Sequence, residues 1–111
     1  MATQGGPLGS PAQIAASATT YYTSTNCRTR IDKVTVCNTT AGTLTFTMYK
    51  IPSGGTASAT NTVISAHSIL AGETYTCPEL VGHWLAPSDF IQALASSATS
   101  LSLEMSGVLV A

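Results

Sequence analysis

Leu44, Phe46 and Met48 alternate with Thr43, Thr45 and Thr47. An apolar residue at every second position puts one face of an extended strand on a core and the other toward solvent, and no helix separates such a pattern. The same period sets Val34 and Val36 against Lys33 and Thr35 in the run Arg28 to Cys37. It returns near the C-terminus, where Leu101, Leu103 and Met105 alternate with Ser102, Glu104 and Ser106. Thr19 to Thr23 and Phe90 to Ala95 also read as strands. Shorter extended runs cover Thr62 to Ala66, Ser68 to Leu70, Glu73 to Cys77 and His83 to Leu85. Turn residues separate them at Asn38 to Gly42, Pro52 to Thr56, Ala71-Gly72, Pro87-Ser88 and Ser96 to Thr99. Roughly eight short runs with turn signals between them predict an all-β chain, an antiparallel β-sandwich of jelly-roll or Ig-like type. Only Ile91 to Ala98 rivals as a helix, and the strand is preferred there. The expected core is Val34, Val36, Leu44, Phe46, Met48, Phe90 or Ile91, Leu101 and Leu103. The domain is expected over residues 18–111. Residues 1–17, broken by Gly5, Gly6, Pro7, Gly9 and Pro11, are expected to form an N-terminal arm ordered only against neighbouring chains.

Two segments do not suit an isolated sandwich. Tyr21 and Tyr22 are adjacent in an expected strand, so their rings leave on opposite faces and one needs cover beyond the core. After Gly107, a candidate bulge, the alternation ends and Val108, Leu109 and Val110 are all apolar, as in a strand covered on both faces. These five residues, with the single tryptophan Trp84, are the interface candidates. Composition points the same way. Charged residues make up 8% of the chain, against roughly 25% in an average soluble domain, and serine and threonine replace them. Hydroxyls cost far less than charges to cover with another protein. The net charge of −1 disfavours a general nucleic-acid or anionic-membrane surface, and no apolar run reaches the ~20 residues of a membrane helix. Residues 1–27 carry no charge; every Lys and Arg lies between Arg28 and Lys50, and the acids other than Asp32 come later. Such an asymmetry either pairs strands within the domain or matches subunit to subunit.

Chemistry-bearing motifs are sparse. Cys27 and Cys37 flank one extended run and would stand about 30 Å apart, beyond the ~7 Å that a disulfide allows. Cys37 and Cys77 end different runs and could meet; three reduced, packed thiols are the simpler reading. Cys27, in a polar loop beside Arg28, is the candidate for a disulfide to another chain. There is no Cys-x-x-Cys pair, and Cys77 with His83 does not make a zinc site. No Gly-x-Ser-x-Gly elbow, paired acids or phosphate loop is present, so no catalytic, metal or cofactor site is expected. Asn38-Thr39-Thr40 matches a glycosylation acceptor.

The run Pro11 to Thr23 (PAQIAASATTYYT) resembles the opening of small structural proteins of tailed bacteriophages and prophages. So do Ile31 to Thr40, Pro52 to Ala57, Leu70 to Tyr75 and Asp89 to Ala93, in that order along the chain. The likeness covers most of residues 11–106. Where such proteins have a Pro-Ala step after the first strand, this chain has Ser24-Thr25-Asn26-Cys27. The resemblance implies a β-sandwich building block of a virion, assembled in the bacterial host cytoplasm. Its expected role is a capsid decoration, linking or collar protein, a homo-oligomer (a trimer is the first guess) whose partners are major capsid, neck or tail proteins. The competing reading is a tail-fibre or spike component that binds a host-surface glycan or protein. An exposed aromatic would favour it, and Trp84 is the candidate, although a lone tryptophan more often belongs to a core.

Overall fold

The computed structural model describes residues 3–98 and 100–110. Met1 and Ala2 of the expected arm, Thr99 of the Ser96–Thr99 turn, and Ala111 of the expected domain lie outside the described residues. Ten strands follow in order: β1 (Thr3–Pro7), β2 (Ala12–Gln13), β3 (Thr19–Thr23), β4 (Arg28–Asn38), β5 (Leu44–Ile51), β6 (Thr62–Ile69), β7 (Thr74–Tyr75), β8 (Trp84–Leu85), β9 (Phe90–Ala95) and β10 (Leu101–Val110). A 3-10 turn at Ala59–Asn61 precedes β6. All pairings are antiparallel. One sheet runs β1-β10-β4-β7, with β2 beside β10 and β8 beside β4; the other runs β3-β9-β5-β6. The protein is an all-β sandwich of two packed sheets.

Alternation decides which side chains meet between the sheets. Val34, Val36, Leu101 and Leu103 from one sheet face Phe46, Met48, Ile64, Ile69 and Ile91 from the other, all 4% exposed or less. Covering a side chain of this size stabilises the fold by about 1.5–3 kcal/mol. Of the expected core only Leu44 is half-buried, and Ile91 rather than Phe90 points inward. The runs Thr62 to Ala66 and Ser68 to Leu70 are one strand. Ala66 sits at φ 44° and the register against β5 shifts on either side of Met48, so irregularity inside β6 looks like a break in the sequence.

The N-terminal segment corrects the expectation of a separate arm. β1 pairs with Ser106–Val110 and β2 with Ser102–Leu103. Between and after them, the Leu8 amide donates to the Met105 carbonyl at 2.9 Å and the Ile14 amide to the Leu101 carbonyl at 2.8 Å. Residues 3–14 thus run the length of β10, and Leu8 (2% exposed) and Ile14 (0%) join the domain's own core. The cause is backbone pairing with a strand at the other end of the sequence, which no local pattern announces. Gly9, at φ 74°, is where this segment crosses toward β3; a Cβ there would lie 2.7 Å from the Tyr21 carbonyl oxygen.

Asn38, fully buried at the end of β4, fixes the turn that follows it. Its Nδ2 donates to the carbonyls of Gly42 (2.7 Å) and Ile69 (2.9 Å), and its Oδ1 accepts from the Thr40 amide and hydroxyl. Both amide hydrogens are committed, so the glycosylation acceptor at Asn38 is closed in the folded protein.

Candidate interaction face

Three constellations carry polar chemistry. The first lies at the β3–β4 turn. Ser24 and Thr29 are fully buried, and their hydroxyls are 2.8 Å apart. Thr29 Oγ1 is 2.9 Å from the Tyr22 hydroxyl, and the Ser24 hydroxyl donates to the Cys27 carbonyl at 2.7 Å. Burial pushes the Tyr22 phenol above its ordinary value, while the Thr29 contact acts in the opposite direction. No histidine or carboxylate touches this cluster in the described contacts, so it offers no general base. It is a satisfied structural network.

The second closes the side of the sandwich where β6 and β7 approach. The His67 ring stacks on Tyr75 with centroids 3.9 Å apart, and Phe46 lies edge-on to His67 at 6.0 Å. The Tyr75 hydroxyl donates to the Glu79 carboxylate at 2.7 Å. Burial, then Glu79, pushes the Tyr75 phenol up to about 12, and the same hydrogen bond holds the Glu79 carboxyl below its usual range. Among the described residues no side-chain hydrogen bond joins His67 to either, so no proton relay forms.

The third is the outer face of the β1-β10-β4 sheet. Alternation along β4 turns Arg28 and Arg30 outward while Thr29 and Ile31 are buried. Across the ladder Arg30 pairs with Trp84 on one side and Val108 on the other, and Arg28 with Val110. Trp84 is 46% exposed, and the Arg28 and Arg30 guanidinium carbons each stand 6.0 Å from its ring centroid. That contact is worth about 0.5–1 kcal/mol at an exposed site. Arg30 also binds Asp32 at 2.8 Å, the only ion pair among the described residues. At the other corner of the same face, Pro11, Ala12, Gln13, Ser102 and Glu104 line an open groove of about 380 Å³.

The expected interface residues separate on this frame. Trp84 is on the surface. Val108, Leu109 and Val110 are half-buried: Leu109 packs on the core, so Val108 and Val110 lie on the outer face beside the arginines. The expected bulge at Gly107 is instead in β4: the register shift opposite Ser106/Gly107 comes from the extra residue Asp32, and β10 itself keeps alternating through Gly107. Tyr21 and Tyr22 both pack on the domain core, because a register shift between Thr20 and Tyr22 changes the facing. The cover for Tyr21 comes from its own chain: its hydroxyl accepts from the Ala15 amide at 2.7 Å. The groove at Pro11–Glu104 was invisible in the sequence, because it forms only when residues 9–13 leave and rejoin β10.

All three cysteines are free thiols. Cys37 lies outward between Ser102 and Thr74 and Cys77 is fully buried, so the pairing of Cys37 with Cys77 is not made. Burial, then the Glu79 charge, pushes the Cys77 thiol up to about 12; a raised pKa keeps it protonated and unreactive below that range. Alkylation of the native protein at pH 8, followed by mass spectrometry, is expected to label Cys27 and Cys37 first and Cys77 only after denaturation. Equal labelling of all three in the native state would contradict this burial.

Among the described residues no group of three His, Cys, Asp or Glu side chains could hold a metal ion. No known protein family, curated protein or solved structure matches the chain.

Proposed function

We propose that the protein is a structural component of a tailed-phage virion, a decoration, linking or collar protein that acts by being covered by neighbouring subunits and not by catalysis. The observation that carries this reading is the placement of charge. The strands at the sheet edges (β1, β2, β3, β6, β7 and β8) contain no Lys, Arg, Asp or Glu. Natural sandwiches commonly guard such edges with charges, prolines or bulges. Here β3 and β6 have register shifts, whereas β1 pairs with β10 without one and is guarded only by Pro7 at its end. The β1 edge is therefore the best placed to add a strand from a neighbour. The virion assignment itself rests on the sequence resemblance.

Gly6 has open space where a Cβ would be built, so Gly6→Lys adds a charge to that edge without disturbing the core. The variant is expected to fold with wild-type thermal stability and to be depleted at least tenfold from purified particles, measured by quantitative mass spectrometry against wild type. Undiminished incorporation removes the β1 edge from the reading, and absence of the wild-type chain from particles removes the virion role. The exposed Trp84 between two arginines favours the second reading, a spike or fibre module for a host-surface glycan or protein. Loss of adsorption to host cells by Trp84→Ala particles of normal composition would establish it instead.

A further inference from the structure

We propose that the outer face of the β1-β10-β4 sheet is a self-complementary contact, through which two copies of this chain pair about a two-fold axis. The inference stands independently of the virion reading.

The charge asymmetry of the sequence is not neutralised inside the domain. Arg30 finds Asp32, its neighbour two residues on, and no other ion pair forms among the described residues. Arg28 and Arg30 lie at one end of this face, while Lys33, opposite Ser106, lies nearer its middle. Glu104, opposite Thr35 in the ladder, lies four residues along β10 from the Arg30 partner Val108, about 13 Å away. One face therefore displays a cationic corner, where Arg28 has no ion pair, and an acidic position at Glu104 that has none either among the described residues.

Shape follows the same diagonal. The cationic corner holds a protruding indole ring, and the opposite corner holds the groove whose lining includes Pro11, Ala12 and Glu104. The groove is open to solvent, with a volume of about 380 Å³, so a ring on a facing surface can reach it. A two-fold axis lying in the plane between two such faces exchanges the corners. Trp84 of each copy then enters the other's groove against the Pro11 ring, and Arg30 comes within side-chain reach of the other's Glu104. An isologous contact requires this reciprocity: whatever one patch offers, the second patch on the same surface must accept. Val108 and Val110, half-buried beside the arginines, supply apolar area between the two anchors. The ten residues of β10 and four strand widths give a footprint of roughly 600 Å². Side-chain relief raises the accessible area above that footprint, toward the ~800 Å² per partner of a standard interface.

The test is sedimentation equilibrium of the purified full chain over a range of concentrations and at two salt concentrations. Wild type is expected to be a dimer that weakens as salt rises. Trp84→Ala is expected to weaken the dimer at least tenfold. Arg30→Glu and Glu104→Arg each place like charges across the contact and are expected to give monomer, while the double variant restores the dimer. Circular dichroism of each variant confirms folding, and all three positions are on the surface. A wild-type monomer at all concentrations overturns the proposal. So do a trimer, a dimer indifferent to these substitutions, and a double variant that stays monomeric although folded.

Discussion

A chain that begins at residue 18 is expected not to fold. The segment it lacks contains Leu8 and Ile14, exposed by 2% and 0% in a core that includes Leu101, Leu103 and Met105. Loss of a buried Leu or Ile side chain costs about 2–5 kcal/mol each. The two together approach the ~5–15 kcal/mol that holds an ordinary domain folded. The deletion also strips β10 of the pairing that β1 and β2 supply along one whole edge, leaving a long unguarded edge strand open to other chains. The expected readout is loss of the cooperative thermal transition and of the near-ultraviolet circular dichroism. Leu8→Ala, a milder change at the same place, is expected to lower stability by about 2–5 kcal/mol while leaving a folded protein to measure. A truncated chain melting at the wild-type temperature would show that residues 3–14 do not belong to this core.

That expectation reverses what the N-terminal sequence suggests, and the reason is physical. Periodicity reports a strand only when the strand itself alternates over several residues. β5 does so, and its position is legible to within two residues. Leu8 is a lone apolar residue between Pro7 and Gly9, and Ile14 sits among alanines next to Gln13. They are held by hydrogen bonds to a strand at the far end of the chain, and nothing local records such pairing. The tyrosine pair shows the complementary limit. Strict alternation sends Tyr21 and Tyr22 to opposite faces, yet one register shift in β3 lets both pack on the core. At the candidate face, composition and charge order raise the expectation of covered surfaces, while the end of alternation and the lone tryptophan single out Val108–Val110 and Trp84. The groove that completes the face needs the path of residues 9–13, which is a property of the assembled sheet. Trp84 itself is exposed because β8 is only two residues long and presents its partner Leu85 to the core.

Gly107→Ala is expected to destabilise the protein by about 3 kcal/mol, while Gly6→Ala is nearly neutral. The two glycines face each other across the β1–β10 ladder, so they share strand environment and intrinsic propensity. Their surroundings differ. Nothing lies within 4 Å of a Cβ built on Gly6, whereas a Cβ on Gly107 would strike the Arg30 carbonyl oxygen and lie 3.1 Å from a Leu8 methyl carbon. The first obstacle is backbone in the central strand β4, hydrogen-bonded into the sheet, and it cannot rotate away as a side chain would. The register shift opposite Ser106/Gly107, where β4 carries the extra residue Asp32, is where the two strands come this close. Relief of the clash requires β10 to move from β4 or the register to slip, and a one-residue slip would turn Leu109 out of the core and Val108 into it. For a domain of about this size, 3 kcal/mol corresponds to a fall in melting temperature of roughly 15 °C. Calorimetry of the two alanine variants side by side measures the difference. Equal melting temperatures would mean that the strands separate freely at the register shift.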